Sequence, residues 1–245
     1  AACRSAGIRV VMITGDNGET AAHIARQAGV CVGKQSVTGE MLDTMEDAQL
    51  EAVVGKENLF SRVAPQHKLR IVKALRAQGE IVAMTGDGVN DAPALKAADV
   101  GIAMGKRGSE VSREAADLIL MDDNFATIVH TIRDGRRIYD NIRRAVGYIF
   151  PIHIPIALSA PLLGIGPAQL FLLPLHIVLL ELMIDPTCSI VLERQPAEPD
   201  IMRRPPVSPG EKLLTAPVFA KSVLQGIVMF AACFGLYFGW LRCFP

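Results

Sequence analysis

The sequence predicts two regions of different class: an α/β region built on a Rossmann-like parallel sheet, then an all-α transmembrane region. Three observations predict this. Short β-rich runs alternate with helical ones up to about residue 123. Most of the charge lies at or before Arg144, whereas residues 145–192 hold two acidic residues and no Lys or Arg. Three apolar runs, about 145–166, 171–192 and 218–241, are each close to the ~20 residues a spanning helix needs. Over the whole chain Lys+Arg and Asp+Glu are 25 each, a balance that favours no particular partner and no nucleic-acid surface.

The α/β elements follow in order. IRVVMIT (8–14) is a short strand ending in Gly15-Asp16, and ETAAHIARQAGV (19–30) is a helix stopped at Gly29. Residues 31–58 are less regular and read as a loop with one short helix around 44–53. LFSRVA (59–64) is a strand, and Pro65 opens a helix through Gln78 with Lys68, Ile71, Val72 and Leu75 at helical spacing. EIVAMT (80–85) is a strand running into GDGVND, Pro93 lies in the first turn of the next helix, and DVGIAM (99–104) and ADLILM (116–121) are two more strands. This alternation implies one parallel sheet with helices on both faces. Its site would lie beyond the carboxyl ends of the strands, where ITGD, MTGDGVND and the loop after Ala64 fall.

From Asn124 a helical pattern runs through IRDGRRIYDNIRR into the first apolar run with no clear stop. The expected parts are therefore a soluble domain over 1–123, a stalk helix over 124–144, spans at 145–166, 171–192 and 218–241, and a loop at 193–217. Arg133, Arg136, Arg137, Arg143 and Arg144 precede the first span; Arg194, Arg203, Arg204 and Lys212 lie between the second and third; the GIGPAQ connection has none. The positive-inside rule then makes the soluble domain and the 193–217 loop cytoplasmic and turns residues 164–169 outward. Cys3, Cys31, Cys188, Cys233 and Cys243 form no CxxC or Cys/His ligand spacing, and their odd number does not suggest a disulfide framework. There is no signal peptide and no initiating Met; the chain opens just before a strand and stops just past an apolar run, so a segment of a longer protein is expected.

MTGDGVNDAPAL (84–95) packs Asp87, Asn90 and Asp91 between glycines at a strand-to-helix turn. Hard divalent cations prefer carboxylate oxygens, and Mg²⁺ usually takes one or two carboxylates plus phosphate and water. Gly86 and Gly88 permit close backbone approach, and the following helix N-terminus favours an anion. Thr14 and Gly15 can offer a hydroxyl and a backbone N–H to the same anion, and Lys68 a cation. The bland alternative is that TGD and GDG are only tight turns.

These runs, in the order ITGD, VAPQHK, MTGDGVNDAPALKAADVGIAMG and then a helix entering the membrane, resemble the P-type cation-transporting ATPases. DIMRRPP (200–206) resembles that family's cytoplasmic loop at the corresponding place, so the likeness covers nearly the whole chain. It implies a phosphorylation domain of haloacid dehalogenase-type fold, with Mg²⁺ as cofactor and ATP as substrate. It implies Asp87 as Mg²⁺ ligand with Asp91 in support, and Asn90, Thr14, Gly15 and Lys68 as holders of the transferred phosphoryl. Asp16 completes the TGD and braces the loops or joins the site. The family's nucleophile, the Asp of DKTGT, does not occur here, nor do recognisable nucleotide-binding and actuator domains; the Thr38-Gly39-Glu40 triplet is a turn, not the actuator's TGE. The implied partners are the bilayer, a transported cation and those missing domains, and the implied location is a multi-pass position in the cell membrane.

The run 171–192 carries Glu181 and Asp185, four apart and so on one helix face. A carboxylate at the bilayer centre costs roughly 2.5–3.5 kcal/mol even on lenient insertion scales. Two of them in low dielectric need a cation or proton between them. Pro186 frees the carbonyl of Leu182, Pro151 and Pro155 free those of Gly147 and Pro151, and His153 lies between these prolines. Interrupted helices with free carbonyls near carboxylates are how many transporters build ion sites, which makes Glu181, Asp185 and His153 the candidate ligands of the transported cation. The alternatives are two protonated acids acting as interhelical glue and a packed neutral His153; His176 and Cys188 read as structural. Against the family's site helix, Asp185 falls on the widely shared aspartate, and Glu181 where calcium pumps usually have Asn. Ile184, His153 and Ile156 also depart from the calcium-pump pattern, leaving Ca²⁺, Mn²⁺, a monovalent cation or H⁺ open. The other function classes are a membrane-anchored phosphatase of the dehalogenase superfamily that transports nothing, and a lipid flippase of the P-type superfamily.

Overall fold

A computed structural model describes residues 2–30, 33, 36–159, 173–208 and 210–243; of Asp185, Ser189 and Leu241 only the backbone is described. The expected GIGPAQ connection and the end of the first apolar run, residues 160–166, lie outside the described residues. The chain divides into two units, Ala1–Ile132 with Met202–Pro209, and Arg133–Ile201 with Gly210–Pro245.

The first unit opens with α1 (Ala2–Ser5), β1 (Met12–Ile13) and α2 (Gly18–Gln27). Asn17 caps α2 by accepting from the Glu19 N–H, and Glu19 lies in the first turn where the helix dipole favours an acid. The stretch read as a loop with one helix instead holds β2 (Val37–Thr38), α3 (Gly39–Thr44) and α4 (Asp47–Val54). Thr38 caps α3, so Thr38-Gly39-Glu40 is a strand-to-helix junction rather than a free turn. Then come β3 (Leu59–Ser61), α5 (Pro65–Ala77) and β4 (Ala83–Gly86). A 3-10 turn over Val89–Asp91 leads into α6 (Ala92–Ala97), β5 (Val100–Met104), α7 (Glu110–Ala115) and β6 (Leu118–Leu120).

All strand pairs are parallel, as expected, but they form two three-stranded sheets, ordered β1-β3-β2 and β4-β5-β6. No ladder joins them among the described residues, so β1 and β4, the strands that lead into ITGD and MTGDGVND, are both edges. Packing does the joining. Ile71, Ala74 and Leu75 of α5 enter the core around Phe60, Leu42, Leu50 and Val54, while Val72 of the same helix enters the core around Met84, Ala94 and Leu95. Val82, just before β4, touches both cores. Each such large apolar side chain, fully buried, is worth about 1.5–3 kcal/mol.

Beyond β6 the chain turns at Asp123, whose φ of 54° is left-handed, and enters α8 (Phe125–Ser159). Asp123 Oδ1 accepts from the Lys106 N–H at 3.0 Å and Oδ2 from the Arg107 N–H at 2.9 Å, which ties the loop after β5 to the start of α8. Asn124 caps α8 by accepting from the Ala126 N–H at 2.9 Å, and Asp122 braces this start by accepting from the Asn124 N–H and the Thr127 hydroxyl.

In the second unit α8 is followed by α9 (Pro174–Glu193) and α10 (Ala216–Cys243), and α9 and α10 are long and apolar enough to cross a membrane. Their directions follow from contacts. His153 lies by Glu181 and Asn141 by the end of α9, so α9 runs antiparallel to α8. Phe150 meets Phe219 edge-on at 5.7 Å and a Cβ on Gly226 would fall 2.6 Å from that of Ile154, so α10 runs parallel to α8. Buried Asn141 caps α9 by donating to the carbonyls of Glu193 and Gln195 at 3.2 and 3.1 Å. Arg143 pairs with Glu211 at 3.1 Å, Arg144 with Glu198, and Arg136 donates to the Ile201 carbonyl at 2.8 Å.

Desolvation pushes the Asp123 carboxyl up, but hydrogen bonds from Lys106, Arg107 and Gly105 outweigh it and hold its pKa below the ordinary 3.8. A carboxyl lowered in the folded state stabilises the fold above its unfolded value, and that contribution fades as pH falls through the lower folded value. Asn tolerates the left-handed backbone, so Asp123→Asn removes the charge and one of the two acceptors without straining the turn. Its melting temperature should lie below wild type near neutral pH, and the gap should begin to narrow below the ordinary value of 3.8 and shrink further as the pH falls through the lower folded value.

Candidate functional site

The ITGD loop leaves the carboxyl end of β1 and is held in place by its own atoms and by the loop after β3. The Thr14 hydroxyl donates to Asp16 Oδ2 at 3.1 Å and accepts from the Asp16 N–H at 3.1 Å. The Asp16 carbonyl accepts from Arg62 N–H at 2.9 Å, and the Thr14 carbonyl from Val63 N–H at 3.1 Å. Asp16 thus braces the loop through both side chain and backbone. A Cβ on Gly15 would meet nothing within 4 Å, so the chain's own packing does not demand glycine there. Arg62, at φ 50°, makes the sharp turn that brings this second loop alongside.

The MTGDGVND loop carries the acids. Asp91 is buried, and its Oδ1 accepts from Lys68 Nζ at 2.6 Å while Oδ2 accepts from the Gly88 N–H at 3.3 Å. Lys68 reaches it from the first turn of α5, which Pro65 starts because a proline costs no hydrogen bond there. The Asp87 carboxylate and the Asn90 amide are exposed and have no hydrogen-bond partner among the described residues. The Asp87 backbone is fixed instead: its carbonyl accepts from Ser109 N–H at 2.8 Å and the Ser112 hydroxyl at 3.2 Å, both at the start of α7. Among the described residues no three His, Cys, Asp or Glu side chains converge on one point. The donor set is therefore one open carboxylate and one lysine-paired carboxylate. That suits Mg²⁺, which takes few protein oxygens and completes its shell with phosphate and water. The sequence singled out Thr14, Gly15, Asp16, Lys68, Asp87, Asn90 and Asp91, and missed Arg62, His67, Ser109 and Ser112. Only His67, inside VAPQHK, stood near a flagged residue.

In the helical unit, His153 Nδ1 lies 2.9 Å from the Ile149 carbonyl, which can only accept, so that nitrogen carries the proton. His153 Nε2 then faces Glu181 Oε1 at 3.3 Å. Two lone pairs would repel; the contact is attractive only with a proton on one of the two atoms or a cation between them. The Asp185 side chain lies outside the described residues. The carbonyl of Gly147, freed by Pro151, accepts from the hydroxyl of buried Ser222 on α10 at 3.4 Å. His176 Nδ1 accepts from the Leu173 N–H at the start of α9, and Cys188 is buried.

The comparisons with known proteins agree with this division. Residues 1–99 and 68–132 match haloacid dehalogenase-like hydrolase families, which is the class the parallel α/β unit and its loops define. Residues 169–244 match the family described as cation transporting ATPase, C-terminus. The cation-transporting ATPase pma1 of Synechocystis is 40% identical over 98% of this chain and 27% of that protein. The calcium-transporting ATPase of Bacillus subtilis is 42% identical over 93% and 26%. The endoplasmic reticulum-type calcium-transporting ATPase 4 of Arabidopsis thaliana is 40% identical over 97% and 23%. The chain belongs to the P-type cation-transporting ATPases, and it spans about a quarter of the length of these relatives. A solved catalytic domain of a CPx-ATPase aligns with 53% of the chain at 26% identity and a TM-score of 0.40, too partial a likeness to add to this.

Gly86 tests the acid loop. A Cβ there would fall 2.6 Å from the Asp91 Cβ, so Gly86→Ala must push Asp91 away from Lys68. Overpacking of this kind costs about 1–3 kcal/mol, so the melting temperature of Gly86→Ala should lie several degrees below wild type in thermal unfolding.

Proposed function

We propose that this chain is the part of an ATP-driven cation pump that holds the metal and phosphoryl-binding groups and part of the ion path. The observation that carries the reading is Glu181, a carboxylate midway along an apolar helix, 3.3 Å from a histidine on the next helix. A phosphatase merely anchored in a membrane has no use for such a group, and a flippase does not need it. A pump does, because an acid that is tolerable only with a proton or cation beside it can take up and release that ion.

In the intact protein an aspartate outside this chain accepts the γ-phosphoryl of ATP. The open edges of β1 and β4 are where a further strand bearing that aspartate would pair, between the two TGD-type loops. Lys68, Thr14, the Gly15 N–H and Asn90 hold the phosphoryl oxygens, and Asp16 braces the loop. Asp87 and Asp91 would hold Mg²⁺, which supplies charge neutralisation at the phosphoryl group when bound. With little covalent chemistry for the protein to perform, positioning and charge do the catalysis. The continuous helix α8 links phosphorylation to the ion site, where Glu181, Asp185 and His153 are the ligands. The chain would cross the cell membrane three times, with the α/β unit and the 193–217 loop in the cytoplasm.

The test uses the intact protein in membrane vesicles, with ATPase activity and phosphoenzyme recorded across Ca²⁺, Mn²⁺, Na⁺, K⁺ and pH. One ion should drive turnover, and Glu181→Gln should raise the concentration required by about tenfold or more. Unchanged ion dependence in Glu181→Gln and in Asp185→Asn would sink the cation-pump reading and leave a membrane-anchored phosphatase.

A further inference from the structure

Three successive backbone N–H groups in the loop after β3 are each taken by a different acceptor. Arg62 N–H goes to the Asp16 carbonyl and Val63 N–H to the Thr14 carbonyl. The third, Ala64 N–H, goes to His67 Nδ1 at 3.2 Å. The imidazole is buried, at 3% exposure, and its other nitrogen lies 2.7 Å from Asp43 Oδ1 on α3. Because Nδ1 accepts, the proton sits on Nε2, which donates to Asp43. Both ring nitrogens are therefore committed, and the ring occupies the third position of α5, one residue before Lys68.

We propose that His67 is a positioning residue for the phosphoryl site. Through Ala64 it closes the turn that α5 makes with the β3 loop. That one loop grips Thr14 and Asp16 by Val63 and Arg62, while α5 carries Lys68 to Asp91. His67 touches neither substrate nor metal; it fixes the register between the hydroxyl of Thr14, in the loop after β1, and the ammonium of Lys68, on the first turn of α5, which must meet one anion. The bond to Asp43 holds the ring in the tautomer that can accept. The proposal rests on the phosphoryl-transfer reading above.

Two substitutions separate the ring's two bonds. Asn places an amide oxygen near where Nδ1 stood, keeping the acceptor for Ala64 and losing Asp43. Gln places its amide nitrogen near where Nε2 stood, keeping the donor to Asp43 and losing Ala64. In the intact protein, orthovanadate, a mimic of the phosphoryl in transfer, is titrated against ATPase activity. His67→Gln should need about tenfold more vanadate for half-inhibition and hydrolyse its phosphoenzyme correspondingly more slowly, with the KM for ATP little changed. His67→Asn should stay within about threefold of wild type. The reverse order would overturn the proposal, because the ring would then serve only to dock α3. Wild-type vanadate sensitivity in both variants with a lowered melting temperature would overturn it too, leaving a packing role. Thr14→Ala is run alongside: if it leaves vanadate inhibition unchanged, it is the phosphoryl-site reading that falls, and the His67 assignment falls with it.

Discussion

The contact between Lys68 and Asp91 is the one on which the α/β unit's site depends. No hydrogen-bond ladder connects the two sheets among the described residues, so what links them is the packing of α5 against both cores. That helix buries Ile71 and Leu75 in one core and Val72 in the other, and its Lys68 closes on Asp91 at 2.6 Å with side-chain exposures of 23% and 7%. A pair this far from water contributes little net stability, because desolvation offsets most of the attraction. Removing one partner is costly, because it strands the other charge. The pair therefore acts chiefly as a locator. It selects the single arrangement in which a cation from one sheet's helix and a carboxylate from the other sheet's loop serve the same small volume.

Much of this was legible from the sequence, for physical reasons that can be named. Helix α2 is legible from its helical composition and its Gly29 stop, α5 from its spacing and Pro65, and β5 from an apolar run. The region 37–54 was misread because β2 has two residues and α3 six, too few for any period to show. The caps were present as letters, Thr38 and the Glu46–Gln49 box, but caps without a periodic run behind them are weak evidence. Of the seven residues picked for the phosphoryl site, Thr14 and Asp16 meet in the loop after β1, and Lys68 of α5 meets Asp91 in the loop after β4. Arg62 and Ser109 escape because their work is done by backbone geometry and by a bond to a distant carbonyl, and His67 because a ring nitrogen accepting from a backbone N–H three residues back leaves no mark in periodicity.

The helical unit shows the same division. Proline positions gave the freed carbonyls directly, but not that Ser222, 75 residues away, would donate to the one at Gly147. Spacing placed Glu181 and Asp185 on one face of a helix, and left His153 as either ligand or packing. In the structure Glu181 finds His153 across the helix pair. The sequence could measure distance along a helix but not between two.

The arginines at the start of the apolar region have a second consequence, one of timing. Arg143 and Arg144 are bound in the finished molecule to Glu211 and Glu198. A ribosome adding roughly 5–20 residues per second makes Glu198 about 3–11 seconds after Arg144. For that interval Arg144 lacks its acidic partner, and Arg143 waits longer still for Glu211, so the clasp that ties α8 to the chain beyond α9 is among the last contacts the growing chain can close.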